Sequence, residues 1–182
     1  ATGVGTRAVW LTWTFGAVIS RNTIRGPFHY GIDLDAMASY SVITANDVSV
    51  EPGTDGHAAT ALFIEMQCRN NLVASNRLVS SERGGYGANL NSFFNFVVSN
   101  DLGDSGVKIS GVYPYPVALS NRIIDNRFGH FSSQHAGCGN YATENAVAPP
   151  NVSNSMALKN CTQRPGGCAA SLNRSFGCLD PD

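Results

Sequence analysis

The stretch "VALSNRIIDN", Val117 to Asn126, sets an Asn inside a run of aliphatic residues, and the chain repeats that pattern. "AVISRNTIRG" from Ala17, "SVITANDVSV" from Ser41, "NLVASNRLVS" from Asn71 and "NFVVSNDLGD" from Asn95 all carry it. Anchoring each row on its Asn gives Asn22, Asn46, Asn76, Asn100, Asn121 and Asn145, at spacings of 24, 30, 24, 21 and 24 residues. Four places before the anchor stand Val18, Val42, Leu72, Phe96, Val117 and Tyr141. Two places after it stand Ile24, Val48, Leu78, Leu102, Ile123 and Val147. A repeat of this length is the signature of a stacked architecture, in which each unit buries its apolar face only against its neighbours.

About 15 residues before each of the first five anchors a second strand is expected: "AVWLTW" from Ala8, "GIDLDA" from Gly31, "ALFIEM" from Ala61, "YGANLN" from Tyr86 and "GVKISG" from Gly106. Alternation of period two is clearest in "GIDLD" and "GVKIS". Helical periodicity is absent, and the density of Gly and Asn disfavours helix. Short strands stacked every rung, about 4.8 Å apart, predict an all-β parallel β-helix of about six coils over residues 1–148. An Asn repeated at one corner would tolerate a left-handed bend and bond to the Asn of the next coil, forming a ladder of Asn22, Asn46, Asn76, Asn100, Asn121 and Asn145.

These columns, above all "GIDLDAMASYSVITANDVSV" and "GVKISGVYPYPVALSNRIIDNRF", resemble the right-handed parallel β-helix repeats of the pectate-lyase-like superfamily, which includes polysaccharide lyases, epimerases and tailspikes. The resemblance runs over roughly Ala8 to Val147. It implies a right-handed, single-stranded helix and an external groove along one column of strands where a polysaccharide would lie. Catalytic and non-catalytic proteins share such repeats, so the resemblance speaks to fold more than to chemistry.

The bulk composition narrows the partners. With 14% charged residues and a net charge of -1 over 182 residues, the chain has no basic excess to neutralise nucleic-acid phosphates. No apolar run approaches the roughly 18 residues of a membrane span. It opens on "ATGVGTRAVW", with neither an initiating Met nor a signal-like segment, as a processed form or a piece of a longer protein would. Four of five cysteines, Cys138, Cys161, Cys168 and Cys178, crowd the last quarter. They lack the short spacing of zinc ligands, and two disulfides in an extracellular, secreted protein are the expectation. Residues 149–182 then form an irregular, disulfide-rich C-terminal cap. Cys68, alone in the body, reads as a small buried apolar residue.

Counting 13 and 11 places back from each anchor gives the expected outward pairs Val9 and Leu11, Asp33 and Asp35, Phe63 and Glu65, Gly87 and Asn89, Lys108 and Ser110. Asp33, Asp35 and Glu65 are the candidate catalytic acids, with Glu65 stacked on Asp35 from the next coil. Carboxylates so close would raise one pKa for acid/base work, or hold calcium; the alternative is a set of solvated acids on a strand face. Asn89, Lys108, Tyr113 and Tyr115 are candidate contacts to a glycan, the last two as ring platforms. Two functions remain in play: a carbohydrate-active or carbohydrate-binding protein, and a non-catalytic structural subunit that joins copies or filament neighbours through outward apolar residues and its N-terminal end.

Overall fold

A computed structural model describes residues 7–52, 58–110, 120–134 and 140–147, and every regular element among them is a strand. The chain passes through three strands per rung, except in the fourth, which has two. The first rung holds β1 (Arg7–Thr12), β2 (Val18–Ser20) and β3 (Thr23–Gly26); the second β4 (Tyr30–Asp35), β5 (Val42–Thr44) and β6 (Asp47–Val50); the third β7 (Thr60–Ile64), β8 (Leu72–Ala74) and β9 (Arg77–Ser80). Then come β10 (Tyr86–Leu90) and β11 (Phe96–Val98), followed by β12 (Gly106–Ser110), β13 (Arg122–Ile124) and β14 (Arg127–Phe128). Last are β15 (His130–Gln134), β16 (Tyr141–Thr143) and β17 (Ala146–Val147).

Equivalent strands pair in parallel from rung to rung. Sheet 1 runs β1-β4-β7-β10-β12-β15 and sheet 2 runs β2-β5-β8-β11-β13-β16. Sheet 3 runs β3-β6-β9, and single bridges through Asp101 join it to β14-β17. Parallel strands stacked on three faces are consistent with a β-helix, and the expected strand starts at Ala8, Gly31, Ala61, Tyr86 and Gly106 all fall within sheet 1.

Apolar side chains meet inside in columns. Ile19, Ile43, Val73, Val97, Ile123 and Ala142 are in register along sheet 2 and all buried. Leu34, Ile64, Leu90 and Ile109 do the same in sheet 1, and Ile24, Val48 and Leu78 in sheet 3. Where sheets 1 and 3 converge, the strand start must be small: a Cβ on Gly31 would run into Val48, and one on Gly87 into Leu102 and the Leu78 carbonyl.

Two Asn ladders hold the corners. Between sheets 2 and 3, the side-chain oxygen of each Asn accepts both the backbone N–H and the side-chain amide of the Asn one rung earlier, along Asn22, Asn46, Asn76, Asn100, Asn126 and Asn145. Between sheets 1 and 2, Ser41, Asn71, Asn95, Asn121 and Asn140 form a second row of the same kind, opened by the Ser41 backbone N–H. Asn121 therefore belongs to the other corner from the one expected, and Asn126 takes its place. "NRIIDNRFGH" from Asn121 is the true fifth row, so Ile123 packs with Val97 in sheet 2 rather than with Leu102.

The bend is not made by the Asn itself. The residue before it adopts the left-handed backbone: Arg21, Ala45, Ser75, Ser99, Asp125 and Glu144 at one corner, Gly16, Tyr40, Phe94 and Ser120 at the other, with Asn70 between them. For a residue with a Cβ that conformation costs roughly 1–2 kcal/mol. The following Asn offsets it by donating to the carbonyl two residues back and to one a rung earlier, as Asn76 does to Ala74 and Ile43.

Outside sheet 3, charges of alternating sign line one column. Asp47 lies 2.5 Å from Arg25 and 3.0 Å from Arg77, and Asp101 lies 2.8 Å from Arg127. Exposed pairs of this kind contribute little stability, about 0.2–1 kcal/mol each, but keep that face polar. Cys68 is buried, its thiol 3.2 Å from the Leu34 carbonyl, and burial pushes it up to about 12, so it behaves as a core residue. Cys138, Cys161, Cys168 and Cys178, and with them the expected cap over residues 149–182, lie outside the described residues. Among the described residues no helix is long and apolar enough to cross a membrane.

Candidate functional site

Strand pairing on sheet 1 decides which side chains share the outer face. Trp10 pairs with Asp33, Asp33 with Phe63, Phe63 with Asn89 and Asn89 with Lys108. Beside this column runs a second, in which Thr12 pairs with Asp35 and Glu65 follows one rung on, its backbone N–H donating to the Leu34 carbonyl. Arg7 and Tyr30 pair at the strand starts.

Asp33, Asp35 and Glu65 are thus brought together across β4 and the end of β7, as the repeat predicts. Their surroundings differ from open solvent. Asp33 is fully buried on the outer face, capped by Arg7, whose Nε donates to its Oδ2. The same guanidinium reaches to 3.7 Å from Glu65 and lies over the Trp10 and Tyr30 rings, at 4.8 and 5.6 Å from their centres. The Trp10 indole N–H donates to Asp35 at 3.2 Å, and the Tyr30 ring sits 4.8 Å from that of Phe63. Three carboxyls, one guanidinium and three aromatic rings make a compact cluster on the first three rungs.

Burial dominates its electrostatics. It pushes the Asp33 carboxyl up to about 6, because the bond and charge of Arg7 offset only part of the lost hydration and Asp35 opposes them. Glu65 rises to about 7: burial acts first, the charges of Asp33 and Asp35 add to it, Arg7 opposes, and a hydrogen bond to Asp35 favours the protonated form. Two oxygens have no hydrogen-bond partner among the described residues, Oδ1 of Asp33 and Oδ1 of Asn91. Both are buried acceptors, which are costly to leave unmatched.

Asn91 follows Leu90 as Glu65 follows Ile64, and its N–H donates to the Ile64 carbonyl. It takes the neighbouring place to Glu65 that counting assigns to Asn89. Asn89 instead sits between Phe63 and Lys108 and accepts from the Ser110 hydroxyl at 3.1 Å. Lys108 lies 5.4 Å from the centre of the Tyr86 ring, three rungs from Asp33, or about 14 Å at the usual strand spacing. Tyr113 and Tyr115 lie outside the described residues. Calcium finds no seat here. Arg7 occupies the side of the acids where a cation would stand, and among the described residues no group of three or more His, Cys, Asp or Glu is arranged to hold a metal.

Trp10 escapes the count along the sequence because the first rung turns its corner with one residue fewer, and Arg7 and Tyr30 because they pair at the strand starts, ahead of the two places counted. Val9 and Leu11 consequently pair with Ile32 and Leu34 and pack against the core instead of facing out. The signal that could have found them is Arg7 itself, a lone cation at the head of an otherwise apolar strand.

The fold and cluster stand on their own geometry: no protein-family model, curated protein or solved structure matches the chain.

Proposed function

We propose that this chain is a secreted, right-handed β-helix of the pectate-lyase-like kind that binds polysaccharide along the outer face of sheet 1 and carries acid/base chemistry at Glu65. The observation that supports the reading is the pair of acids Glu65 and Asp35, set on adjacent rungs beside the Trp10, Tyr30 and Phe63 rings. A carboxyl poised at about 7 holds and releases a proton near neutral pH, which is what a general acid or base must do. The rings give apolar walls against which a sugar face can lie.

Geometry selects among reactions. Glycoside hydrolysis by two carboxylates needs them roughly 5–9.5 Å apart, with the sugar carbon or a water between. Acids on adjacent rungs start from a strand spacing of about 4.8 Å, at the short end of that range. A single carboxyl raised to about 7 suits a lyase or epimerase step, in which Glu65 exchanges a proton with the sugar, or binding without turnover. Three acids facing one guanidinium also disfavour an anionic sugar at this end; Lys108, farther along the strip, is the place for one.

The test is incubation of the purified protein with neutral and acidic polysaccharides, reading retention on immobilised polymer and unsaturated or epimerised product. Glu65→Gln is expected to lower turnover by about 10²–10⁴-fold while retention persists, and Trp10→Ala to weaken retention. Neither retention nor product with any polymer overturns the reading and leaves a non-catalytic structural role.

A further inference from the structure

Of the three outer faces, sheet 1 carries the acid cluster and sheet 3 the alternating ion column. Sheet 2 carries neither. Its first outward column reads Val18, Val42, Leu72 and Phe96 in register, and only the next rung brings a charge, Arg122. The second column, Ser20, Thr44, Ala74, Val98, Ile124 and Thr143, is uncharged throughout. The adjoining corner continues the apolar surface: the Phe15 and Tyr40 rings lie 4.7 Å apart, tilted by 40°, and Phe94 stands at the same bend two rungs beyond Tyr40.

These side chains are open to solvent, Phe15 at 76%, Val18 at 69%, Tyr40 and Phe94 at 48%, Phe96 at 46% and Leu72 at 39%. At roughly 150–250 Å² per full aromatic side chain, these exposed fractions with the aliphatics between them present about 500–700 Å² of apolar surface. The largest patch on a typical monomer is about 300–600 Å². One side of a stable protein–protein interface covers about 800 Å².

We propose that the outer face of sheet 2, with the Phe15–Tyr40–Phe94 corner, is the interface through which two copies of this chain pair. The area is close to what one partner of a stable dimer contributes. Apart from Arg122 at its far rung and Arg69 at the corner the face is uncharged, and it needs a partner as poor in charge, since any charged group set against the apolar columns would be buried unpaired. A second copy supplies that match by symmetry, because a two-fold axis lays the same strip on itself. Both strips are parallel sheets with the same strand spacing, so they can pack about 10 Å apart as the layers of a sandwich do. The pairing leaves sheet 1 free and is independent of what that face binds.

Light scattering or sedimentation of the full 182-residue protein, over about two decades of concentration, tests it. The expected mass is twice that of the 19.3 kDa chain. Leu72→Lys combined with Phe96→Lys, both outward, is expected to return the mass of one chain with an unchanged circular dichroism spectrum. Should that variant not fold, Phe15→Ser at the exposed corner is expected to weaken association by about tenfold or more. A single-chain mass for the unaltered protein at every concentration overturns the proposal, whether the strip is then open or covered by residues 148–182. So does a dimer that the folded lysine variant leaves intact.

Discussion

At the scale of single residues, the acid cluster shows how much burial decides. Asp33 has an arginine in contact and still rises, because hydration lost outweighs attraction gained. Glu65, raised from 4.5 to about 7, has a consequence for stability. An acid whose folded pKa lies above its unfolded value holds its proton more tightly when folded. Stability is therefore full below about pH 4.5, falls as the pH rises toward 7, and levels off above it. Asp33 adds a slope of the same sign between 3.8 and about 6. Glu65→Gln is expected to be more stable than the unaltered protein at about pH 8, by on the order of 1–2 kcal/mol, with the gain vanishing at about pH 4. Urea denaturation at both pH values checks it; an equal difference at the two would mean that Glu65 is not raised.

Elements are where the sequence was both most and least legible. Strand existence could be read directly, because Ile32 and Leu34, or Val107 and Ile109, alternate with polar neighbours. Register could not always be read. "AVWLTW" is apolar at nearly every place, so alternation cannot say which of Val9 and Trp10 faces in, and only pairing with β4 settles it. "VALSNRIIDN" misled for another reason: Asn121 and Asn126 are both ladder residues, five places apart, and Asn121 has the apolar Val117 four places before it where Asn126 has Arg122. The acids at Asp33, Asp35 and Glu65 were found because rungs two and three keep equal corner lengths. Trp10 and Asn91 were missed because rungs one and four do not.

The corner also predicts a graded response to substitution. Asn76 is buried at the middle of its row, accepts two bonds from Asn46 and donates onward to Asn100. Asn76→Ala leaves several buried groups unmatched and is expected to cost about 3–5 kcal/mol. At the exposed end, Asn22→Ala forfeits bonds that water can replace and is expected to cost about 1 kcal/mol or less. Chemical denaturation of the two variants side by side measures the contrast. Similar losses at both positions would mean that the ladder is not what secures the corner.

Across the whole molecule, each rung touches only the rungs before and after it, so stability is a sum of neighbour terms. Hydrogen exchange is expected to be slowest at the middle of sheet 2, at Ile43, Val73 and Val97, and about tenfold or more faster at Ile19. Uniform protection across the rungs would instead mark one indivisible unit. The three faces divide the surface in the same regular way: acids and rings on sheet 1, paired charges on sheet 3, a largely apolar column on sheet 2.

One consequence follows from the place of the left-handed residue ahead of each ladder Asn. Arg, Ala, Ser, Asp and Glu all occupy that site at one corner, since the amide that follows, not the residue itself, holds the backbone there. Instruction and tolerance thus sit on adjacent letters: one position spells the turn in a single symbol, and the next is nearly free of content. A chain written this way can drift in charge and size along its outer edge, rung by rung, without losing the text that folds it.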